Sequence, residues 1–82
     1  MTEREVIEKT NKVFEEAFEI APDRLVPEAN IFTELGLDSL DVVDLVVALQ
    51  KAFGVSIREE EGVRDIRTLS DIYKFIMRKM AG

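Results

Sequence analysis

Ser39 is the residue with the clearest chemical possibilities, in the run Glu34-Leu35-Gly36-Leu37-Asp38-Ser39-Leu40-Asp41-Val42-Val43-Asp44-Leu45. A serine hydroxyl becomes a nucleophile when a neighbouring base takes its proton, but the chain contains no His and no Cys. No serine stands in a Gly-x-Ser-x-Gly elbow either, so a serine hydrolase is nearly excluded and ranks third among the readings. The same absences remove a thiolate nucleophile and the soft ligands of a zinc site. Ser39 therefore reads as an acceptor of modification. Asp38, Asp41 and Asp44 recur at three-residue steps, but apolar Val42 and Val43 lie between the last two, which is a helical pattern and not a calcium loop. No metal site and no catalytic residue are expected.

The whole chain is 82 residues, enough for one domain with a modest core and too little for a deep, water-excluded catalytic cavity. Residues 1–82 are read as a single domain. With 17 Asp plus Glu against 11 Lys plus Arg, the formal net charge is -6, so nucleic acid and anionic membranes would repel it. No run of about 18 apolar residues exists, and Thr2, Glu3, Arg4 and Glu5 stand where a signal peptide would place its apolar core. A cytoplasmic monomer without stable membrane insertion is expected.

Three helices must position Ser39. From Glu3 to Phe18, Val6, Ile7, Thr10, Val13, Phe14 and Ala17 recur at three- and four-residue steps, and Thr2 with Glu5 forms a capping pattern ahead of them. Pro22 and Pro27 then break the helical pattern. The long connection that follows is rich in apolar residues, and Leu25, Val26, Ile31, Phe32, Leu35 and Leu37 are expected to pin it to the bundle. A short turn begun near Asn30 should end at Gly36. The second helix starts at Asp38 or Ser39, with Asp38 as cap, and ends at Gly54. Leu40, Val43, Val46, Val47, Leu49 and Phe53 are expected on its buried face, widened by Val42 and Leu45, which would make it the central helix. Residues 59–65 allow at most a short helix. Thr68 and Asp71 repeat the capping pattern before Leu69, Ile72, Tyr73, Ile76 and Met80 of the last helix. The fold class is all-α: a small four-helix bundle of three long helices and one short, with a long ordered loop after the first.

The run Leu-Gly-Leu-Asp-Ser-Leu-Asp around Ser39 resembles the Asp-Ser-Leu attachment motif of acyl carrier proteins. The similarity covers nearly the whole chain, including the acidic second helix ending at Phe53, the Ile57, Glu59 and Glu60 stretch, and the Thr68-Leu69 opening of the last helix. It implies a 4'-phosphopantetheine arm on Ser39, between Asp38 and Leu40, whose thiol carries acyl groups as thioesters without any cysteine in the chain. A phosphodiester there would meet the NH groups and positive dipole end of the helix, opposed by Asp38 and Asp41, so it should stay in water. The resemblance also implies that the acyl chain is tucked between helices. Leu40, Val43, Val47, Leu49, Phe53, Ile57, Ile66, Leu69 and Ile72 are the candidate lining, although each could serve only as ordinary core.

Asp41, Asp44, Ala48 and Lys51 share one helix stripe by spacing. Beside Ser39 they read as a docking face for partners with basic patches: a phosphopantetheinyl transferase, acyl-transfer enzymes and ketosynthase-type enzymes. Away from that motif the same stripe would read as a solvated face. Gln50 and Lys51 stand where similar carriers of general fatty acid synthesis often continue acidic, and Arg58, Arg64 and Arg67 are mixed into the next acidic stretch. Housekeeping and specialised pathways both remain open on these residues. The competing reading is an acidic helical interaction module in which Ser39 is only a helix cap.

Overall fold

The computed structural model describes residues 2–57 and 65–81, and all the regular structure in them is helical. Helix α1 runs Glu3–Phe18 and begins with the expected reciprocal cap: Thr2 Oγ1 accepts from the Glu5 amide at 3.2 Å while Glu5 Oε1 accepts from the Thr2 amide at 3.1 Å. Those two donors, amide first and hydroxyl second, hold the Glu5 carboxyl below its ordinary value. At the other end Glu19 adopts the left-handed conformation, φ 55°, which turns the chain out of the helix. Val6, Thr10 and Phe14 are buried and Ile7 and Val13 pack partly beneath them, as the spacing predicts. Ala17 departs from that expectation: it stays exposed at the rim of a shallow groove between α1 and the next helix.

Thr10 is fully buried, and its hydroxyl finds no hydrogen-bond partner among the described residues. A desolvated hydroxyl without a partner costs roughly 1 to 3 kcal/mol, whereas a methyl of nearly the same shape costs nothing of that kind. Thr10→Val is therefore expected to raise unfolding stability by about 1 kcal/mol, read as a higher urea midpoint at unchanged slope. A lower midpoint would show that the hydroxyl is satisfied in solution.

The connection from 19 to 38 is ordered by local bonds and by burial. One 3-10 turn spans Pro22–Arg24, and the Arg24 guanidinium donates to the Glu34 carbonyl across the loop. Asn30 organises the next turn: its Oδ1 accepts from the Phe32 and Thr33 amides at 2.9 and 3.0 Å. Gly36, at φ 79°, then lets the Leu37 amide turn back onto the Ile31 carbonyl at 2.9 Å. Leu25, Ile31, Leu35 and Leu37 are buried and Phe32 is half-buried, as expected of a pinned loop. Val26 is exposed instead, and Ala29, which the sequence did not single out, takes a core position. The loop is also stitched to the far end of the chain, with the Ile31 amide donating to Arg67 O and the Leu69 amide to Ala29 O around an isolated Asn30 to Thr68 bridge.

Helix α2 runs Ser39–Phe53 and helix α3 runs Leu69–Ala81. Gly54, at φ 65°, terminates α2, and its amide bonds the Gln50 carbonyl at 2.9 Å. Lys9 of α1 reaches the Ala52 carbonyl at the same end, 3.2 Å away, and lies over the Phe53 ring. In α3 Leu69, Ile72, Tyr73, Phe75 and Ile76 are buried, while Met80, expected on that face, is exposed in the last turn. The Tyr73 hydroxyl donates to Asn11 Oδ1 at 2.5 Å, and burial raises its pKa, so it remains a neutral donor linking α3 to α1. The helix that approaches both others closely is α1, not α2. That corrects the expectation of a central second helix, and it leaves α2 and α3 farther apart, with side chains and loop filling the space between them. The short helix expected over residues 59–65 falls outside the described residues apart from Asp65.

Helix α3 opens on the expected cap, with Thr68 Oγ1 accepting from the Asp71 amide at 3.2 Å and Asp71 Oδ2 accepting from the Thr68 and Arg67 amides at 3.1 and 3.0 Å. The Thr68 and Arg67 amides hold the Asp71 carboxyl below its ordinary value. A carboxyl depressed by folding contributes stability above its unfolded value, and that contribution is lost as pH falls through the depressed folded one. Asp71→Asn keeps an acceptor but does not titrate. The melting temperature of the wild type should therefore exceed that of the variant at neutral pH, and the gap should close below about pH 4. A gap independent of pH would show that the charge contributes nothing at this cap.

Candidate functional site

Ser39 is placed by the turn that precedes it. After Gly36, Leu37 is buried and anchors the chain, and Asp38 takes an extended conformation as the N-cap of α2. Asp38 Oδ1 accepts from the Leu40 and Asp41 amides at 3.0 and 2.9 Å, and Asp41 Oδ2 accepts in return from the Asp38 amide at 3.1 Å. Ser39 is the first helical residue and is exposed. Capping belongs to Asp38, so the reading in which Ser39 serves only as a cap loses its structural basis.

This cap also corrects an expectation about the helix start. The Leu40 and Asp41 amides, which could have met an anion attached to Ser39, are already taken by the Asp38 carboxylate. A phosphodiester on Ser39 gains little from those donors and is repelled by the two capping carboxylates, so it belongs in water. An exposed hydroxyl on a rigid helical turn fits a long covalent group that must swing clear of the surface.

Beyond Ser39, α2 divides its apolar residues between two faces. Leu45, Leu49 and Phe53 are buried, with Val42 and Val46 packed partly against them. Leu40, Val43 and Val47 are 76%, 55% and 44% exposed. The three were expected on the buried face, which the structure contradicts; they were also expected as acyl-pocket lining, and none of them borders the cavity between α2 and α3. Steps of three and four residues make 40, 43 and 47 one stripe, which α1 and the loop do not cover. The result is an exposed apolar strip beginning next to Ser39. Of the stripe expected for docking, Asp44 and Lys51 are exposed, whereas Asp41 and Ala48 are half-buried. Ala48, Lys51 and Ala52 share a shallow groove with Val13, Glu16 and Ala17 of α1.

An apolar cavity of about 20 Å³ lies between α2 and α3, lined by Ile31, Phe32, Val42, Leu45, Val46, Leu49, Ile57, Ile66 and Phe75. Of the residues expected to line an acyl pocket, Leu49, Ile57 and Ile66 border this cavity. Phe53, Leu69 and Ile72 are buried core but are not part of this wall. Val42, Leu45, Val46 and Phe75 carry the same helical spacing as the residues chosen for the pocket, so periodicity could have found them. Ile31 and Phe32 come from the loop, where no periodic signal exists. That space is about what one water needs, so an alkyl chain of several carbons would have to part the walls.

Gln50 is a further residue whose role the sequence did not reveal. Its Oε1 accepts from the Ile57 amide at 2.9 Å, tying the segment after Gly54 back onto α2. Among the described residues no cluster of three or more potential metal-ligating side chains occurs, and no helix is long and apolar enough to cross a membrane.

Comparison with known proteins gives one consistent result. The sequence profile for the phosphopantetheine attachment site matches residues 11–76. The chain is 46% identical over 72 residues to Acyl carrier protein 2 of Ralstonia nicotianae, covering 88% of each chain. It is 37% identical over 81 residues to an acyl carrier protein of Thermosynechococcus vestitus, covering 99% of each. To an acyl carrier protein of Syntrophobacter fumaroxidans it is 47% identical over 57 residues, 70% of this chain and 69% of the other.

Proposed function

Since the chain belongs to the phosphopantetheine-attachment family as an acyl carrier protein, we propose that Ser39 is the residue that takes its 4'-phosphopantetheine arm, within one carrier domain spanning 1–82. The observation that carries this is an exposed hydroxyl on the first turn of α2, free of capping duty, at the head of the exposed Leu40, Val43 and Val47 strip. When attached, the arm supplies the thiol on which acyl groups are carried as thioesters. The protein's own residues do three things. Asp38 and Asp41 fix the turn that presents Ser39. The apolar strip, with Asp44 beside it, offers partners a surface that combines contact area with negative charge. The cavity between α2 and α3 receives the acyl chain when its walls part.

The chain is a carrier and not a catalyst in this reading, since no base stands by to activate Ser39. Its partners are a phosphopantetheinyl transferase and, after loading, acyl-transfer and ketosynthase-type enzymes with basic docking patches. It acts as a cytoplasmic monomer in fatty acid or related acyl or polyketide synthesis. The test is intact mass after incubation with coenzyme A and a transferase: one arm is gained, and peptide mapping locates it on Ser39. An arm found on Ser56 or Ser70, or no arm with several transferases, would overturn the assignment.

A further inference from the structure

The walls of the cavity between α2 and α3 are not held equally. Val42, Leu45, Val46 and Leu49 belong to α2 and Phe75 to α3, so the helical hydrogen bonds fix their backbones. Ile31 is fixed from both sides, its amide on the Arg67 carbonyl at 2.8 Å and its carbonyl on the Leu37 amide at 2.9 Å. Ile57 differs. Helix α2 has ended at Gly54, residues 55–57 have no regular structure, and among the described residues the bond from the Ile57 amide to Gln50 Oε1 is the one hydrogen bond that ties this stretch to the fold. The Ile57 side chain is nevertheless buried, and closes one side of the cavity.

A cavity of about 20 Å³ cannot take an alkyl chain without displacement of a wall. Displacing a helical residue would break part of a helix, whereas displacing Ile57 breaks one side-chain hydrogen bond. Building on the reading that this cavity receives the acyl chain, we propose that Gln50 is a latch: its bond to the Ile57 amide holds the cavity closed and sets how readily a chain is enclosed. Gln50 is a positioning residue acting through Ile57. The closed state keeps the bond and the filled state loses it, so removing the acceptor shifts the balance toward the filled state by the net worth of that bond, about five-fold.

The test uses the wild type, Gln50→Met, Gln50→Glu and Val46→Phe, each loaded enzymatically with either an octanoyl or an acetyl arm. Two readouts are taken: hydrogen exchange of the Ile57 amide in the unloaded protein, and the rate at which hydroxylamine cleaves the thioester. In Gln50→Met the Ile57 amide should exchange at least about ten-fold faster while the core amides of α1 and α3 are unchanged. Its octanoyl thioester should be cleaved about five-fold more slowly than in the wild type, and its acetyl thioester, too short to enter, at the wild-type rate. Gln50→Glu, which keeps an acceptor oxygen, should restore both readouts. Val46→Phe fills the cavity and should speed octanoyl cleavage. If Val46→Phe does so while Gln50→Met leaves octanoyl cleavage unchanged or speeds it, the latch is overturned and the cavity reading stands. If Val46→Phe also changes nothing, the cavity reading fails and the latch with it. An Ile57 amide that exchanges equally in all four proteins overturns the latch whatever the thioesters do.

Discussion

Ser39→Ala protein should keep its unmodified mass after incubation with coenzyme A and a phosphopantetheinyl transferase, under conditions in which the wild type is loaded to completion. The loss should be total, because on the proposed assignment the bond to the arm would be formed through the Ser39 oxygen, and Ser56 and Ser70 stand outside any Gly-x-Asp-Ser-Leu setting. The variant should fold as the wild type does. Helix α2 is capped by Asp38, whose carboxylate bonds survive the change. Alanine in the first turn has at least the helix propensity of serine, so the stability difference should stay within about 0.5 kcal/mol. Normal loading of Ser39→Ala would move the attachment elsewhere. Loss of loading together with loss of the α2 amide signals would show that the change disturbed the helix and not the acceptor alone.

The second large effect is expected on the exposed face of α2. Val47 is apolar, at the end of the strip farther from Ser39, and half-exposed in the isolated protein. Val47→Asp should cost little stability, since the side chain is not in the core, but a partner that covers the strip would have to bury a carboxylate without a mate. A carboxylate buried at such a contact costs about 2 kcal/mol, so kcat/KM for transfer from the loaded carrier to a ketosynthase should fall roughly 30-fold. Asp44→Lys should act differently. On the proposed docking face it reverses a charge that would steer basic patches toward Ser39, so its penalty should appear in association and shrink as salt is raised, while that of Val47→Asp persists. Asp41 is the poorer test of charge because its carboxylate closes the cap on the Asp38 amide. Lys51→Glu should leave loading intact and improve turnover with enzymes of general fatty acid synthesis, whose patches would otherwise meet a like charge. Wild-type rates for Val47→Asp at both salt concentrations would remove the strip from the docking surface.

The starts of all three helices were legible in the sequence. Thr2 with Glu5, Asp38 with Asp41, and Thr68 with Asp71 are each three residues apart, and a reciprocal cap needs nothing beyond those residues and their own amides. Gly36 and Gly54 were legible for the same reason: a left-handed turn is a property of one residue and its neighbours. The placement of Ser39 in the first turn followed from that local geometry, but its exposure did not: the sequence reading put Leu40 and Val43 on the buried side, and both are exposed along with it. The absence of histidine is a matter of composition.

The tertiary structure alone decided which face of α2 turns inward. Leu40, Val43 and Val47 recur at helical spacing, and so do Val42, Leu45, Val46, Leu49 and Phe53, so periodicity offered two apolar faces and could not choose between them. The choice was made by residues distant in the chain: α1, which packs closely against both α2 and α3, and the loop carrying Ile31 and Phe32, stitched to Arg67 and Leu69. These long-range contacts buried one apolar face and left the other beside Ser39, where it can be met by a partner. They also brought Ile57 back to Gln50, seven residues apart and separated by the end of a helix, a pairing that no local rule marks. Local hydrogen bonding set where each helix begins, and the competition among apolar faces for a single small core set what each helix shows to water.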